Sequence, residues 1–195
     1  MQAIKANLLV VDDDDAIRAL LAERLSIMGH KVRSAADGFS ALLELRQEVP
    51  EIILSDLDMP QMSGFEFLSV VRRRFPEIRV IAMSGDLGGD EKTAGVAADA
   101  FYEKGASFGK LLLTIEALSD PDLLVLEGNR EEHTPVWVEG NGYRTSAAPT
   151  MMSCSECFRS FPEVLKAEPK LIVETRCPHC QSTIRYAIAP ERTSA

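Results

Sequence analysis

Two rhythms of apolar and polar positions divide this chain. Through the first 118 residues, short continuous apolar runs at Leu8–Val11, Ile52–Leu54 and Val80–Met83 alternate with stretches of helical periodicity. Continuous runs fit parallel strands covered on both faces, and Lys31–Ser34 and Ala100–Tyr102 supply two more strands. Ile17, Leu20, Leu21, Leu25 and Met28 share one helical stripe, which Gly29 stops. Ala41, Leu42 and Leu45 mark a second helix, Phe65, Leu68, Val71 and Phe75 a third, and Leu111, Leu112, Ile115 and Leu118 the last. The glycine-rich segment from Gly88 to Ala97 is read as one further helix. This strand–helix repeat predicts an α/β domain over residues 5–118, an open parallel sheet wrapped by right-handed crossovers.

Residues 119–150 lose the rhythm and read as an acidic, partly structured tether, with a short hairpin around Val136–Val138. Residues 151–190 read as a second, smaller β module, with strands at Leu171–Val173 and Ile184–Ile188.

Charge sharpens this division. The chain has 195 residues and a net charge of −9, which disfavours nonspecific phosphate binding by the whole molecule. Residues 1–118 carry 13 basic against 19 acidic side chains, and residues 119–150 carry 2 against 6. Residues 151–195, with 6 against 5, escape the acidic bias and hold all four cysteines. No apolar run approaches the roughly 18 residues of a membrane span. The N-terminal segment meets acid too early for a secretory signal, so a cytoplasmic protein with no membrane partner is expected.

In open parallel sheets, ligands bind beyond the carboxyl ends of the strands. At that edge the apolar runs hand over to Asp12 and Asp13, to Ser55 and Asp56, to Ser84, and to Glu103 and Lys104. Three carboxylates within about 5 Å repel by roughly 3 kcal/mol per pair at an effective dielectric near 20. A hard divalent cation relieves that repulsion, and Mg²⁺ binds through one or two carboxylates, waters and phosphate oxygens. A carboxylate beside Mg²⁺ serves as a nucleophile toward phosphorus, while an ammonium and a hydroxyl hold the phosphoryl oxygens.

The segments VVDDDDAIR, IILSDLDMPQMSGFEFL, VIAMSGD and AFYEKGAS resemble, in this order, the receiver domain of two-component response regulators. The resemblance covers about residues 5–118. It implies a flavodoxin-like five-stranded sheet in the order 2-1-3-4-5, and phosphoryl transfer to Asp56 from a histidine kinase or phosphotransfer protein. It also implies Mg²⁺ held by Asp13, by Asp12 mostly through water, by Asp56 and by the backbone carbonyl of Asp58. Ser84 and Lys104 contact the phosphoryl group, and Phe101 occupies the switch position whose rotamer follows Ser84. Met59, Pro60 and Gly64 shape the loop that places Asp56. The family face around the fifth strand and its flanking helices would carry the signal to an output partner, against the tether or the C-terminal module. Gly105 departs from the pattern, standing where much of the family has proline; Asp58 and Asp86 occupy positions that tune loss of the phosphoryl group.

The remaining acids have plainer roles. Asp15 is expected to cap the first helix and Asp14 to face water. The Arg72–Arg74 run suits the end of a helix dipole, and His30 is expected to be structural.

CSEC at 154–157 and CPHC at 177–180 are two C-x₂-C knuckles separated by 19 residues. Cys154, Cys157, Cys177 and Cys180 fit a closed, structural Zn²⁺ site, and the segment resembles small zinc ribbons. A module of about 45 residues needs such a staple, and zinc contributes on the order of 10–16 kcal/mol to folding. A thiol–disulfide role for CPHC, or His179 as a ligand, are the alternatives.

Together these features predict a phosphorylation-responsive signalling protein without a separate enzymatic output, whose zinc ribbon docks an output protein. One alternative is a transcriptional regulator whose ribbon binds nucleic acid, although no helix-turn-helix segment is visible. Another is an aspartyl-phosphate phosphohydrolase, suggested by Asp56-Leu57-Asp58; such enzymes carry the nucleophile on their first strand.

Overall fold

In the computed structural model, the structure describes residues 5–85, 96–119, 135–139, 149–165 and 172–189. Five strands, β1 (Asn7–Val11), β2 (Lys31–Ala35), β3 (Ile52–Asp56), β4 (Arg79–Ser84) and β5 (Ala100–Glu103), form one parallel sheet in the order β2-β1-β3-β4-β5. The apolar runs occupy its centre, where every residue of β3 is buried. α1 (Asp15–Ile27) and α4 (Phe108–Ser119) pack on one face against Leu8, Val10, Leu54 and Met83. α2 (Gly38–Gln47) and α3 (Gly64–Arg74) pack on the other against Leu9, Val11, Ile53 and Val80. Gly29, at φ 94°, ends α1 in the left-handed conformation that glycine tolerates.

The stripe predicted for α1 is narrower than expected: Leu21 and Leu25 are buried, whereas Leu20 and Met28 stand about half exposed. α3 departs the other way. Beside its apolar Phe67, Leu68, Val70 and Val71, its polar Glu66, Ser69 and Arg72 are also buried. A helix lying on a sheet should leave such residues in water; this one is covered from outside.

The cover comes from the C-terminal segments. β6 (Val136–Glu139), β10 (Thr183–Ala189) and β9 (Val173–Arg176) form a sheet in that order, and β7 (Thr150–Ser153) pairs antiparallel with β8 (Ser160–Glu163). β6 runs parallel to β10, with Val136 opposite Tyr186 and Val138 opposite Ile188, and the return arm of the hairpin expected near Val136 lies outside the described residues. That pairing is non-local, and parallel neighbours need a long connection between them. The strand expected at Leu171–Val173 begins only at Val173 and continues to Arg176; Leu171 lies outside the described residues. Val136, Val138, Met152, Phe161, Ile184 and Tyr186 join the apolar cluster that packs around α2 and α3. The helix expected over Gly88–Ala97 lies outside the described residues except for Val96 and Ala97, which are not helical; Asp86 and most of residues 119–150 also fall outside them. No helix among the described residues is long and apolar enough to cross a membrane.

Candidate functional site

The carboxyl ends of β1, β3, β4 and β5 bring Asp12, Asp56, Ser84 and Lys104 to one edge of the sheet. Asp12 is fully buried and Asp56 nearly so, whereas Asp13 is exposed. Carboxylate oxygens of these three residues lie within 4.8 Å of one another. Lys104 Nζ stands 2.8 Å from Asp56 Oδ2 and 2.9 Å from Asp12 Oδ2. One ammonium against three carboxylates leaves the cluster short of positive charge.

Burial raises the pKa of Asp12 above its ordinary value, and the Lys104 ammonium opposes that rise. For Lys104, burial would lower the pKa, but its interactions with the Asp56 and Asp12 carboxylates together outweigh it and the net shift is upward. Each charge thus sustains the other. Asp12 Oδ2 is buried and lies at ion-pair distance from Lys104 without the alignment of a hydrogen bond. Unspent lone-pair capacity on a buried oxygen, within a cluster of excess negative charge, fits a hard divalent cation.

The loop after Asp56 is tightly tied. Asp58 N–H donates to Asp56 Oδ1 at 3.2 Å, Leu57 N–H to the Met83 carbonyl at 3.0 Å, and Gly64 N–H to the Leu57 carbonyl at 3.1 Å. Between them, Met62 N–H donates to the Pro60 carbonyl across Gln61, which sits at φ 67°, a strained three-residue turn beside the site. Ser84 is buried at the end of β4, and Lys104 N–H donates to its carbonyl at 2.8 Å. Phe101 is half-buried against the α2–α3 side of the core. Gly105 adopts φ 94°, a value closed to proline, so the turn after Lys104 follows its own path.

The run of four aspartates divides differently from the sequence expectation. Asp14, not Asp15, caps α1: its carboxylate accepts from the N–H groups of Ala16, at 2.8 Å, and Ile17, at 3.1 Å. Asp12 Oδ1 accepts the Asp14 N–H at 2.9 Å, which holds Asp14 extended and starts the helix at the next residue. Asp15 is the exposed first residue of the helix and pairs with Arg18. Arg18 also donates to the Asp12 carbonyl at 2.7 Å. The arginine run is likewise not uniform. Arg72 is buried and pairs with Asp99 at 2.9 Å, Arg74 lies over the Phe75 ring, and Arg73 reaches toward Glu156 at 3.9 Å. His30 Nδ1 accepts the Ala6 N–H at 3.2 Å, a structural role.

The four cysteines converge, and none is in a disulfide. Cys154 Sγ lies 3.6 Å from Cys180 Sγ, and Cys157 Sγ 3.7 Å from Cys177 Sγ. A tetrahedron with metal–sulfur bonds of about 2.3 Å has edges of about 3.8 Å, so the spacing fits zinc. The two knuckles repeat one design. Glu156 and Cys157 N–H groups point at Cys154 Sγ, and His179 N–H at Cys177 Sγ, while Phe158 and Gln181 take φ 57° and 64°. Such donors favour thiolates. Burial pushes the Cys154 thiol up, whereas Ser182 pulls Cys180 down to about 6. His179 Nε2 lies 3.2 Å from the Ser160 carbonyl, engaged with backbone.

Fold and site together define a receiver-type domain. The chain belongs to the response regulator receiver domain family, whose model matches residues 8–116. It is similar to the probable transcriptional regulator ycf27 of Porphyridium aerugineum, 40% identical over 82 residues, covering 41% of this chain and 34% of that protein. The transcriptional regulatory protein AfsQ1 of Streptomyces coelicolor is 39% identical over 83 residues, covering 42% of this chain and 37% of that protein. The chain thus spans about a third of the length of these relatives. Among solved structures it resembles chemotaxis protein CheY4 of Vibrio cholerae, with TM-score 0.55, 29% identity, and coverage of 59% of this chain and 99% of that one. Response regulator TrrA of Thermotoga maritima, in complex with Mg²⁺ and BeF, gives TM-score 0.54, 28% identity and the same coverages. Receiver domains take phosphate from a histidine kinase and bind Mg²⁺ at an acidic site, here the Asp12, Asp13 and Asp56 cluster.

Proposed function

We propose that this chain is a phosphorelay receiver whose Asp56 accepts a phosphoryl group from a phosphohistidine donor, with a zinc-bound C-terminal module as its docking element. The observation that carries the reading is Lys104, held between Asp12 and Asp56 at the mouth of the acid cluster. Asp56 Oδ attacks phosphorus as the P–N bond breaks; the imidazole leaves with the electron pair and an acyl phosphate forms. Asp13, Asp56 and the Asp58 carbonyl would hold Mg²⁺, with Asp12 acting mostly through water. Bound there, Mg²⁺ supplies positive charge to the transferring phosphoryl oxygens. Lys104 passes from the Asp56 carboxylate to a phosphoryl oxygen, and Ser84 donates its hydroxyl to another. Phe101 follows Ser84.

Cys154, Cys157, Cys177 and Cys180 would hold zinc in a closed site, which supplies folding free energy to residues 151–190. A net charge of −9 favours a protein partner over nucleic acid. Promoter binding is a second reading, supported by the names of relatives as transcriptional regulators. The test is incubation with acetyl phosphate and Mg²⁺, followed by phosphate-affinity electrophoresis. The expected result is a shifted band that Asp56→Asn abolishes; steady release of phosphate from phosphomonoesters would instead support a phosphohydrolase.

A further inference from the structure

α3 touches both chemical centres of the molecule. At its start, Gly64 is pressed against the backbone of Asp56: a Cβ built on it would lie 2.0 Å from the Asp56 carbonyl oxygen. Its middle meets the cover strand, where Trp137 N–H donates to Ser69 Oγ at 3.1 Å. At its end, the Phe75 ring lies 5.8 Å from that of Phe158, and Arg73 approaches Glu156 at 3.9 Å. Eleven residues at about 1.5 Å each make a rod of about 16 Å between these ends.

The residues that hold the far end belong to the first cysteine knuckle. Glu156 lies between Cys154 and Cys157, and Phe158 follows them with its N–H on the Cys154 carbonyl at 2.9 Å. Their position depends on the knuckle being closed. Four thiols at these spacings have no covalent tie, and closure therefore depends on whatever the sulfurs bind.

We propose that zinc loading of the cysteine centre and phosphoryl loading of Asp56 are thermodynamically linked through α3, making the cysteine centre a second input to the receiver. The proposal rests on the reading of both sites given above. Its sign follows from ordering cost. A closed knuckle fixes α3 and with it the loop from Leu57 to Ser63, so the acceptor site has less left to order when it is loaded. Linkage makes the effect reciprocal: loading Asp56 raises the affinity for zinc by the same factor. The single tryptophan, Trp137, sits on the cover strand and reports the contact.

The experiment measures zinc affinity of the full chain by competition with a colorimetric zinc chelator, with and without Mg²⁺ and beryllofluoride. The expected result is zinc affinity raised about fivefold or more by beryllofluoride, with a matching change in Trp137 fluorescence. Phe158→Ala and Arg73→Ala should keep one zinc per chain and bring the ratio toward one. An unchanged affinity in the wild type, with both ligands bound, would overturn the linkage alone. Failure to bind zinc would overturn the cysteine-centre reading, and failure to bind beryllofluoride the acceptor reading, each taking the linkage with it.

Discussion

Gly64 and Asp56 are in backbone contact: there is no room for even a methyl group between the first residue of α3 and the carbonyl of Asp56. Gly64→Ala must therefore displace the helix or the acceptor loop, because backbone cannot yield as a side chain does. Overpacking of this kind costs about 1–3 kcal/mol. Urea denaturation should show that loss, and phosphorylation by acetyl phosphate should slow in the same variant.

Asp14 and Asp15 separate by the same measurement. Asp14→Ala removes the carboxylate that satisfies two N–H groups of α1 and should cost about 1 kcal/mol. Asp15→Ala removes an exposed ion pair and should cost under about 0.5 kcal/mol. Neither should alter the yield of phosphorylated protein.

Lys104→Ala should move binding and transfer in opposite directions. Without its ammonium the three carboxylates are uncompensated, so Mg²⁺ should bind more tightly by isothermal titration calorimetry. Phosphorylation should nevertheless fall at least tenfold, because the charge that follows the phosphoryl oxygens is gone.

His30 gives a pH signature. Burial lowers its pKa below the ordinary 6.5, and the nearby charges of Glu116 and Glu51 oppose this only in part. The unfolded chain then binds the proton more readily than the folded one. The stabilisation is complete above about 6.5 and is lost as pH falls through the lower folded value. Urea midpoints of the wild type should therefore fall between pH 7.5 and 5.5 more than those of His30→Gln.

Metal removal is the fifth test. Chelation, or Cys154→Ser, should expose the α3 cover, seen as faster hydrogen exchange in β6 and in the amides around Ser69. The α1–α4 side of the core should stay protected, because it shares no apolar cluster with the cysteine module.

The parallel sheet was legible because its strands are continuous apolar runs and its helices carry stripes, both local patterns. The gathering of Asp12, Asp13, Asp56 and Lys104 was legible because topology brings strand ends together whatever lies between them. The cover over α3 was not. Glu66, Ser69 and Arg72 read as a wet face, and nothing nearby in sequence announces β6, whose partner β10 lies more than forty residues away. The helix start was missed by one residue because four identical aspartates carry no difference to read. What selects Asp14 is the hydrogen bond from its own backbone to Asp12. The arginine run does close the last turn of α3, as its sequence suggests, but only tertiary structure sets Arg72 on Asp99, Arg73 on Glu156 and Arg74 over a ring.

The position of β10 at the centre of its sheet has a consequence for biosynthesis. It follows both of its neighbours in the chain, yet both β6 and β9 pair with it. A nascent chain can complete the five-stranded sheet as soon as α4 has left the ribosome, since domains fold as units and N-terminal ones first. The outer side of α3 must then wait, bare, for about seventy more residues, counted from Ser119 to Ala189, before its covering sheet can close. That interval is when a chaperone would find the apolar flank of α3, and a truncation just before β10 would leave it exposed permanently.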